Sequence, residues 1–327
     1  MKAAITGASG HIGNCLTREL LRKGVKVKAL VHNKDNDLKD LDIELLNGDL
    51  LDTDSLTRLC EDVDYVFHLA ARISIDEKDR ELVYRTNVDG TRNLVNACVK
   101  NNVKRLLHFS SIHAYTIHPR DAVLDETRPL IENSNVVYEK SKADGERVVL
   151  HAVQNGLDAV ILNPTAVIGP YDYNRSYLGQ ALIKIYLNKL PMLIPGGYDW
   201  VDVRDVVNGT INAIEKGRKG EKYLLSGHFY QLKQLSQMIA KCNDGKTPQF
   251  EVPMIFARIG LPFIRIFAKL RNEHPLYTGE SLDILKNSPR NISNSKAVRE
   301  LGYTTRSLEE TLKDTFIWYK QNNLMPN

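Results

Sequence analysis

The chain has 327 residues, of which 43% are hydrophobic, and its formal net charge is +4. This size suits one large domain or two intimately joined ones, and the small positive charge gives no reason to expect a nucleic-acid partner. No two of the four cysteines are spaced as a C-x-x-C pair, so we expect no metal site and no disulfide framework, only buried free thiols in a reducing cytoplasm.

The first half of the sequence alternates short apolar runs with amphipathic segments, beginning directly after the initiator methionine, which leaves no room for a signal peptide. Apolar runs predict six strands, at 2–6, 25–31, 43–49, 63–71, 103–111 and 158–164. Periodic apolar positions predict helices between them, at 11–24, 52–60, 80–101 and 136–154. Such alternation predicts an α/β fold with a doubly wound parallel sheet, whose ligands bind at the carboxyl ends of the strands.

The second half is less regular. The prediction is loop with one helix at 170–200, an amphipathic helix at 200–217, a strand at 222–227 and mostly helix from about 231 onward. We therefore predict two interleaved units. Residues 1–169 form the sheet domain, which also receives about 199–230, and residues 170–327 form a smaller, mainly helical substrate lobe.

The apolar stretch 253–270 is interrupted by Arg258 and Arg265. It is shorter than the roughly 20 residues that a membrane span needs, so we expect no span. Two interpretations remain for it: a lid over an apolar substrate, or a helix that buries one face in the second lobe.

Three glycines follow the first predicted strand in the stretch “TGASGHIG” and precede the first helix. A helix N-terminus presents unpaired backbone N–H groups and a partial positive charge, which attract phosphate. Glycines let a diphosphate reach those groups and let the helix pack close to the sheet. The spacing G-x-x-G-x-x-G is one residue longer than the G-x-G-x-x-G fingerprint. The predicted cofactor-binding residues of this loop are Gly7, Ala8, Ser9, Gly10, His11, Ile12 and Gly13.

The end of the second predicted strand lacks the acidic residue that would hold the ribose hydroxyl of NAD. The sequence there is “ALVHNK”, and no carboxylate follows before Asp35. Lys28, His32 and Lys34 supply basic groups instead. Because such groups favour a 2′-phosphate, we expect NADP(H), with NAD(H) as the other option, and we predict that His32 and Lys34 bind it.

Two further strand ends carry candidate cofactor contacts. In “NGDL”, after the third strand, Asp49 is placed to accept a hydrogen bond from the adenine amino group and Leu50 to pack against the ring. In “HLAA”, at the end of the fourth strand, Leu69 precedes two small residues, Ala70 and Ala71, which leave space for the cofactor to lie close.

Tyr138 and Lys142 are four residues apart in a predicted helix, so their side chains share one face. An ammonium near a phenol favours the phenolate and lowers the pKa from its ordinary value of about 10. Such a tyrosine exchanges a proton with a carbonyl or alcohol near neutral pH. Ser110 and Ser111, at the end of the fifth strand, are placed to bond a substrate oxygen. Asn87 is placed to bond helix backbone or a water that relays protons to Lys142.

Seven motifs occur in order along the chain: “TGASGHIG”, “NGDL”, “HLAA”, “NVDGT”, “FSSIHAY”, “YEKSK” and “NPTAVIGP”. As a set they resemble the extended short-chain dehydrogenase/reductase family, in the NAD-dependent epimerase/dehydratase superfamily, over essentially the whole chain. The resemblance implies a Rossmann-type sheet, a nicotinamide cofactor and a small-molecule carbonyl or alcohol substrate. A homodimer is common in that family.

The resemblance also implies roles for particular residues. Ser111, Tyr138 and Lys142 correspond to the family's triad, with Tyr138 as the acid/base and Lys142 bonded to the nicotinamide ribose. Ser111 is chosen over Ser110 because the family's serine lies four residues before the aromatic of that segment, here Tyr115. The residues implied to line the nicotinamide side are Asn163, Pro164, Thr165, Ala166 and Val167, and Ser110 and Asn87 are further candidate cofactor contacts.

Within the family, “ILNPTAVIGPYD” and the segment that follows it resemble the dihydroflavonol reductase-like group. The expected function is therefore NADP(H)-dependent reduction of a ketone or aldehyde by hydride transfer. Two alternatives stay open. One is a sugar-nucleotide epimerase or dehydratase that holds its NAD(P) tightly, and the other is a non-catalytic NADP-binding regulator.

Overall fold

The structure is a computed structural model that describes residues 1–32, 36–73, 79–119, 121–190, 192–243, 245, 247–248, 250–261 and 279–326. Its strands are β1 (Lys2–Thr6), β2 (Lys26–Val31), β3 (Glu44–Asn47), β4 (Tyr65–His68), β5 (Arg105–Phe109), β6 (Ala159–Pro164), β7 (Ala166–Ile168), β8 (Gly197–Asp202), β9 (Lys222–Leu225) and β10 (His228–Gln231). Its helices are α1 (His11–Arg22), α2 (Thr53–Cys60), α3 (Arg80–Tyr84), α4 (Gly90–Lys100), α5 (Val137–Gln154), α6 (Tyr177–Tyr186), α7 (Val203–Lys216), α8 (Leu232–Ala240), α9 (254–261), α10 (Gly279–Asn287), α11 (Ser295–Leu301) and α12 (Leu308–Gln321).

The central sheet has the strand order β3-β2-β1-β4-β5-β6-β9, and every neighbouring pair in it is parallel. The order reverses beside β1, so the chain winds outward in both directions from the middle of the sheet. This confirms the predicted doubly wound α/β fold of Rossmann type and all six predicted strands of the first half. The carboxyl ends of β1, β4, β5 and β6 consequently lie side by side along one edge.

Helices cover both faces of the sheet. One face packs against α1 and α7, through residues such as Leu16, Leu20 and Val206. The other face packs against α2, α4 and α5, through residues such as Leu56 and Leu94. Because both faces are buried, the strands are apolar along most of their length, which is why they stand out in the sequence.

A second core lies outside the central sheet, among α6, α8 and α12. A three-stranded sheet, in the order β10-β8-β7, packs on it. The sequence analysis missed these strands, since it treated Trp200 and Val201 as the start of a helix. The helix instead begins after Asp202, whose carboxylate accepts a hydrogen bond from the Arg204 backbone N–H and so caps α7. The division of the chain at residue 169 stays a prediction.

The composition gave expectations about membrane spans, metal sites and cysteines. In the part that the structure describes, no helix is long and apolar enough to cross a bilayer, and no histidine, cysteine or carboxylate cluster is arranged to hold a metal. All four cysteines are free thiols. Of the apolar stretch 253–270, residues 254–261 are helical with Ile255 and Phe256 exposed, and 262–270 lie outside the described residues.

Candidate active site

The loop between β1 and α1 needs glycine at two positions for reasons of packing. Gly7 has a φ of +77°, and a Cβ there would lie 2.6 Å from the backbone nitrogen of Ala70. A Cβ at Gly13 would lie 2.0 Å from the carbonyl oxygen of Gly7. These two glycines therefore let the loop, the helix and the end of β4 come together. The sequence pattern predicts this packing role for Gly13, whereas it assigns Gly7 to the approach of the diphosphate.

Gly10 differs from the other two because protein packing leaves it room. A Cβ there would meet only the Gly7 carbonyl oxygen, at 3.3 Å. Gly10 is also the N-cap of α1, where no side chain caps the helix and no acidic residue occupies the first turn. The free N–H groups of this helix end fit a phosphate, and a glycine there keeps the approach open.

The remaining loop residues have different surroundings. Ala8 is fully buried, so only its backbone can face a cofactor, whereas Ile12 is partly buried against the core. His11 and Ser9 instead meet the segment after β7. The His11 Nε2 atom lies 2.9 Å from the Pro170 carbonyl oxygen, and the Asn174 side-chain amide donates to the Ser9 carbonyl oxygen at 3.0 Å. The sequence analysis missed this contact between the loop and the second half of the chain.

Of the basic groups predicted at the end of β2, His32 lies there and the Lys28 ammonium does not. His32 Nδ1 lies 3.1 Å from a carboxylate oxygen of Asp49, whose other oxygen accepts from the Leu51 backbone N–H at 2.7 Å. Lys28 turns away and donates to the carbonyl oxygens of Arg58 and Glu61. Lys34 lies outside the described residues. An imidazole and a carboxylate thus lie where we predict the adenosine half of the cofactor.

Replacing His32 by glutamate is expected to raise the Kd for NADPH by at least about tenfold, since two carboxylates would then face a 2′-phosphate. The Kd for NADH is expected to change much less, because NADH lacks that phosphate. Fluorescence titration with both coenzymes measures the effect. His151→Glu makes the same charge change on an exposed histidine of α5 and is the control. An equal loss of affinity for NADPH and NADH in His32→Glu would contradict the prediction.

Of the predicted residues after β3 and β4, those after β4 lie beside the glycine loop. Leu50 is buried against Gly90, the first residue of α4, so little of its side chain is free to face an adenine. The Ala70 backbone N–H donates to the Thr6 hydroxyl at 3.3 Å, which ties the half-buried segment Leu69–Ala71 to the end of β1.

The carboxyl end of β5 and the start of α5 bring together Ser111, Tyr138 and Lys142. The Ser111 hydroxyl hydrogen-bonds with the Tyr138 phenol and also accepts from the His113 backbone N–H at 3.2 Å. Lys142, one turn further along α5, is buried and donates to the Phe109 carbonyl oxygen at 2.8 Å. The rings of Tyr138 and His113 meet edge to face, with 6.2 Å between centroids. The three predicted residues therefore form one polar group at the carboxyl edge of the sheet.

The electrostatics of this group differ from the expectation. Burial raises the pKa of the Tyr138 phenol above its ordinary value, and the bond to Ser111 only partly opposes this. Burial also lowers the pKa of Lys142 to about 8, against an opposing effect of the Glu146 carboxylate. The sequence analysis expected Lys142 to lower the pKa of Tyr138; in the structure desolvation is larger, so the phenol holds its proton at neutral pH.

Asn87 lies in a π-helical turn, Arg85–Asp89, that joins α3 to α4. Its side chain donates to the Arg72 carbonyl oxygen and accepts from the Arg72 backbone N–H, at 3.0 and 2.8 Å, and donates to the Ser141 hydroxyl at 2.9 Å. The side chain thus clamps the segment after β4 to α5, next to Lys142, and these bonds do not go to helix backbone. The predicted relay water stays a prediction.

The last predicted residues follow β5 and β6. Ser110 is buried, and among the described residues none is within hydrogen-bond reach of its hydroxyl oxygen. An unpaired buried hydroxyl is costly, so this atom suits a polar ligand group. Pro164 ends β6, Thr165 connects it to β7, and Ala166 and Val167 are half-buried in β7.

A pair of histidines beneath these strand ends escaped the sequence analysis. His68 Nδ1 lies 2.7 Å from the Thr6 hydroxyl and its Nε2 2.9 Å from the Thr91 hydroxyl. Its ring lies 5.2 Å from that of His108 on β5. Burial lowers the pKa of His68 to about 3, so the ring is neutral at pH 7. A single histidine inside a predicted strand carries no signal by which this could have been found.

A sheet of this order with a glycine loop after its first strand is characteristic of dinucleotide-binding enzymes. The tyrosine–lysine helix narrows the class to NAD(P)-dependent enzymes of the extended short-chain dehydrogenase/reductase type. The model of the NAD dependent epimerase/dehydratase family matches residues 3–226, and the chain belongs to that family.

Known proteins resemble the chain over its full length. “Sterol demethylase protein B” of Methylococcus capsulatus is 32% identical over 99% of this chain and 100% of its own length. “Putative dihydroflavonol 4-reductase” of Synechocystis is 31% identical over 97% of this chain and 94% of its own length. The crystal structure of gox2253 has a TM-score of 0.84 at 30% identity and covers 99% of each chain.

Proposed function

We propose that the protein is an NADP(H)-dependent reductase of a ketone or aldehyde, with Tyr138 as the proton donor. The observation that carries the proposal is the grouping of Ser111, Tyr138 and Lys142 at the carboxyl edge of the sheet, beside the uncapped N-terminus of α1. Binding at Gly10 and reaction at Tyr138 then belong to one ligand that extends along this edge.

Each residue of the group has a distinct task in this proposal. When bound, the cofactor supplies the hydride that the carbonyl carbon receives. Tyr138 gives its proton to the carbonyl oxygen, and its raised pKa keeps that proton in place until the oxygen becomes basic. The Ser111 hydroxyl orients the same oxygen. Lys142, protonated at neutral pH, bonds the nicotinamide ribose and restores the charge balance after the proton leaves Tyr138.

The choice of NADP(H) over NAD(H) is supported by the surroundings of His32. No carboxylate follows directly after β2, and His32 is exposed there. The Asp49 carboxylate, 3.1 Å from His32, works against a 2′-phosphate.

The choice of a reductase is supported by the relative from Synechocystis, whose name is that of a reductase. The name of the relative from Methylococcus suggests sterol ketones as substrates to test first. A sugar-nucleotide epimerase or dehydratase is the alternative, because the matching family model is named for epimerases and dehydratases.

The test is a screen of ketones and aldehydes, sterol ketones included, with NADPH and NADH in parallel. Loss of the reduced-nicotinamide absorbance, greater with NADPH, is the expected result. Conversion of a sugar nucleotide without net coenzyme consumption would favour the alternative, since epimerases regenerate their cofactor. No affinity for either coenzyme would overturn the proposal.

The protein's surroundings in the cell belong to the proposal as well. We propose that it works in the cytoplasm, because its four thiols are unpaired and three of them are buried. We also propose that it forms a homodimer, as relatives in this family commonly do. Size-exclusion chromatography with light scattering tests the second point.

A further inference from the structure

Glu146 is a fully buried carboxylate on α5. It lies four residues beyond Lys142 and eight beyond Tyr138, so the three side chains follow one face of the helix. A buried charge is costly unless it is paired and hydrogen-bonded. Its position next to the proposed reacting group therefore calls for an explanation beyond folding.

Both oxygens of Glu146 have neighbours on other strands. One oxygen accepts from the Asn163 side-chain amide on β6 at 3.0 Å. The other lies 3.4 Å from the Lys222 ammonium on β9 and has no hydrogen bond among the described residues. The Lys222 ammonium also lies 4.6 Å from the centre of the Tyr115 ring.

The contacts of Asn163 lead from Glu146 to the reacting group. The same amide nitrogen that donates to Glu146 also donates to the Ser111 carbonyl oxygen, at 3.3 Å. The amide oxygen accepts from the Tyr115 hydroxyl at 3.4 Å. The carboxylate thus holds the amide in the one orientation that also holds the backbone of Ser111.

Glu146 is also the counter-charge of Lys142. The other titratable groups that face Lys142 are His68 on β4, His108 on β5 and Tyr138 on its own helix. Burial keeps both histidines neutral at pH 7, and the Tyr138 phenol is neutral there too, so these groups supply no negative charge. The Glu146 carboxylate opposes the lowering of the pKa of Lys142 by burial.

We propose that Glu146, paired with Lys222, is a positioning residue for the reaction. Its charge keeps Lys142 in the ammonium form, and its hydrogen bond to Asn163 fixes the backbone that carries the Ser111 hydroxyl. The catalytic consequence rests on the proposed function, whereas the effect on Lys142 is a property of the folded protein alone.

Glu146→Gln tests the proposal, since glutamine keeps the shape and removes the charge. The pKa of Lys142 should fall by at least about half a pH unit, because a nearby negative charge raises it. The measurement is a pH titration of ¹³C-lysine NMR signals, with the Lys142 signal assigned by its absence in Lys142→Arg. The alkaline fall of kcat/KM should begin at correspondingly lower pH.

Two further variants show whether a change in the pKa of Lys142 comes from the charge of Glu146. Lys222→Met removes the positive partner and leaves the carboxylate, so the pKa of Lys142 should stay the same or rise, whether or not Glu146→Gln folds. Asp158→Asn breaks the ion pair with Arg105, whose atoms lie 2.9 and 3.0 Å apart at the other end of the sheet, and should leave Lys142 unchanged.

An unchanged Lys142 titration in Glu146→Gln would overturn the proposal, and so would a fall in Lys222→Met or in Asp158→Asn. The proposed function fails separately. If the wild-type protein reduces no carbonyl compound but Glu146→Gln still lowers the pKa of Lys142, only the reductase proposal is lost.

Discussion

Tyr138→Phe is expected to lower kcat by about 10²–10⁴-fold, the usual contribution of a positioned proton donor. The substitution removes the phenol hydroxyl that bonds to Ser111 and leaves the ring, which meets His113 edge to face. The affinity for NADPH is expected to stay within about threefold, because we assign the ribose contact to Lys142. Steady-state rates and fluorescence titration measure the two quantities.

Tyr84→Phe is the matched control for this prediction. Tyr84 is also a partly buried tyrosine with one side-chain hydrogen bond, to the Asp144 carboxylate at 3.0 Å, and it lies on α3. Loss of the Tyr84 hydroxyl should change the free energy of unfolding slightly and kcat by less than about twofold. If Tyr138→Phe kept a tenth of the wild-type rate or more, another group would be the proton donor. If it kept full biological function, the regulator interpretation would gain.

The direction of the Tyr138 pKa shift bears on which reaction the group suits. A phenol with a raised pKa keeps its proton until the oxygen of the substrate becomes basic, as happens in carbonyl reduction. Alcohol oxidation needs the phenolate, which is scarce at neutral pH and becomes available as the pH rises. We therefore expect oxidation of an alcohol to accelerate with increasing pH over a range in which reduction does not.

The central sheet was predictable because its signals are local. Each buried parallel strand is an apolar run. Gly7 and Gly13, which packing requires, stand at the first strand–helix junction. The small sheet of β7, β8 and β10 was missed because its pairing is non-local. Tyr198 and Trp200 alternate as in a strand, but β8 pairs with β10 and β7, which other elements separate from it in the sequence.

The residues of the candidate site likewise fall into those that local sequence patterns predict and those that only the folded chain brings together. Helical periodicity brings Tyr138 and Lys142 together, and a strand end supplies Ser111, so the group of three could be predicted. The pairing of His32 with Asp49, and that of Glu146 with Lys222, join separate elements. One signal for Glu146 was available, since it repeats the four-residue step from Tyr138 to Lys142.

Gly10→Ala is expected to raise the Kd for NADPH by about 10–100-fold, or about 1.4–2.8 kcal/mol. The protein itself has room for a methyl group at this position, since the nearest atom is the Gly7 carbonyl oxygen at 3.3 Å. Loss of glycine at an N-cap costs the folded state no more than about 1 kcal/mol. The methyl group would instead stand where we place the diphosphate, over the free N–H groups of α1.

Gly13→Ala separates the two roles of glycine in this loop. A Cβ there would lie 2.0 Å from the Gly7 carbonyl oxygen, and backbone cannot turn aside as a side chain can. The free energy of unfolding should fall by about 1–3 kcal/mol or more, with any loss of NADPH affinity following from the damaged loop. Thermal unfolding with and without NADPH measures both variants. A Gly10→Ala protein that binds NADPH as wild type does would remove the diphosphate from this helix end, and with it the placement of the nicotinamide beside Tyr138.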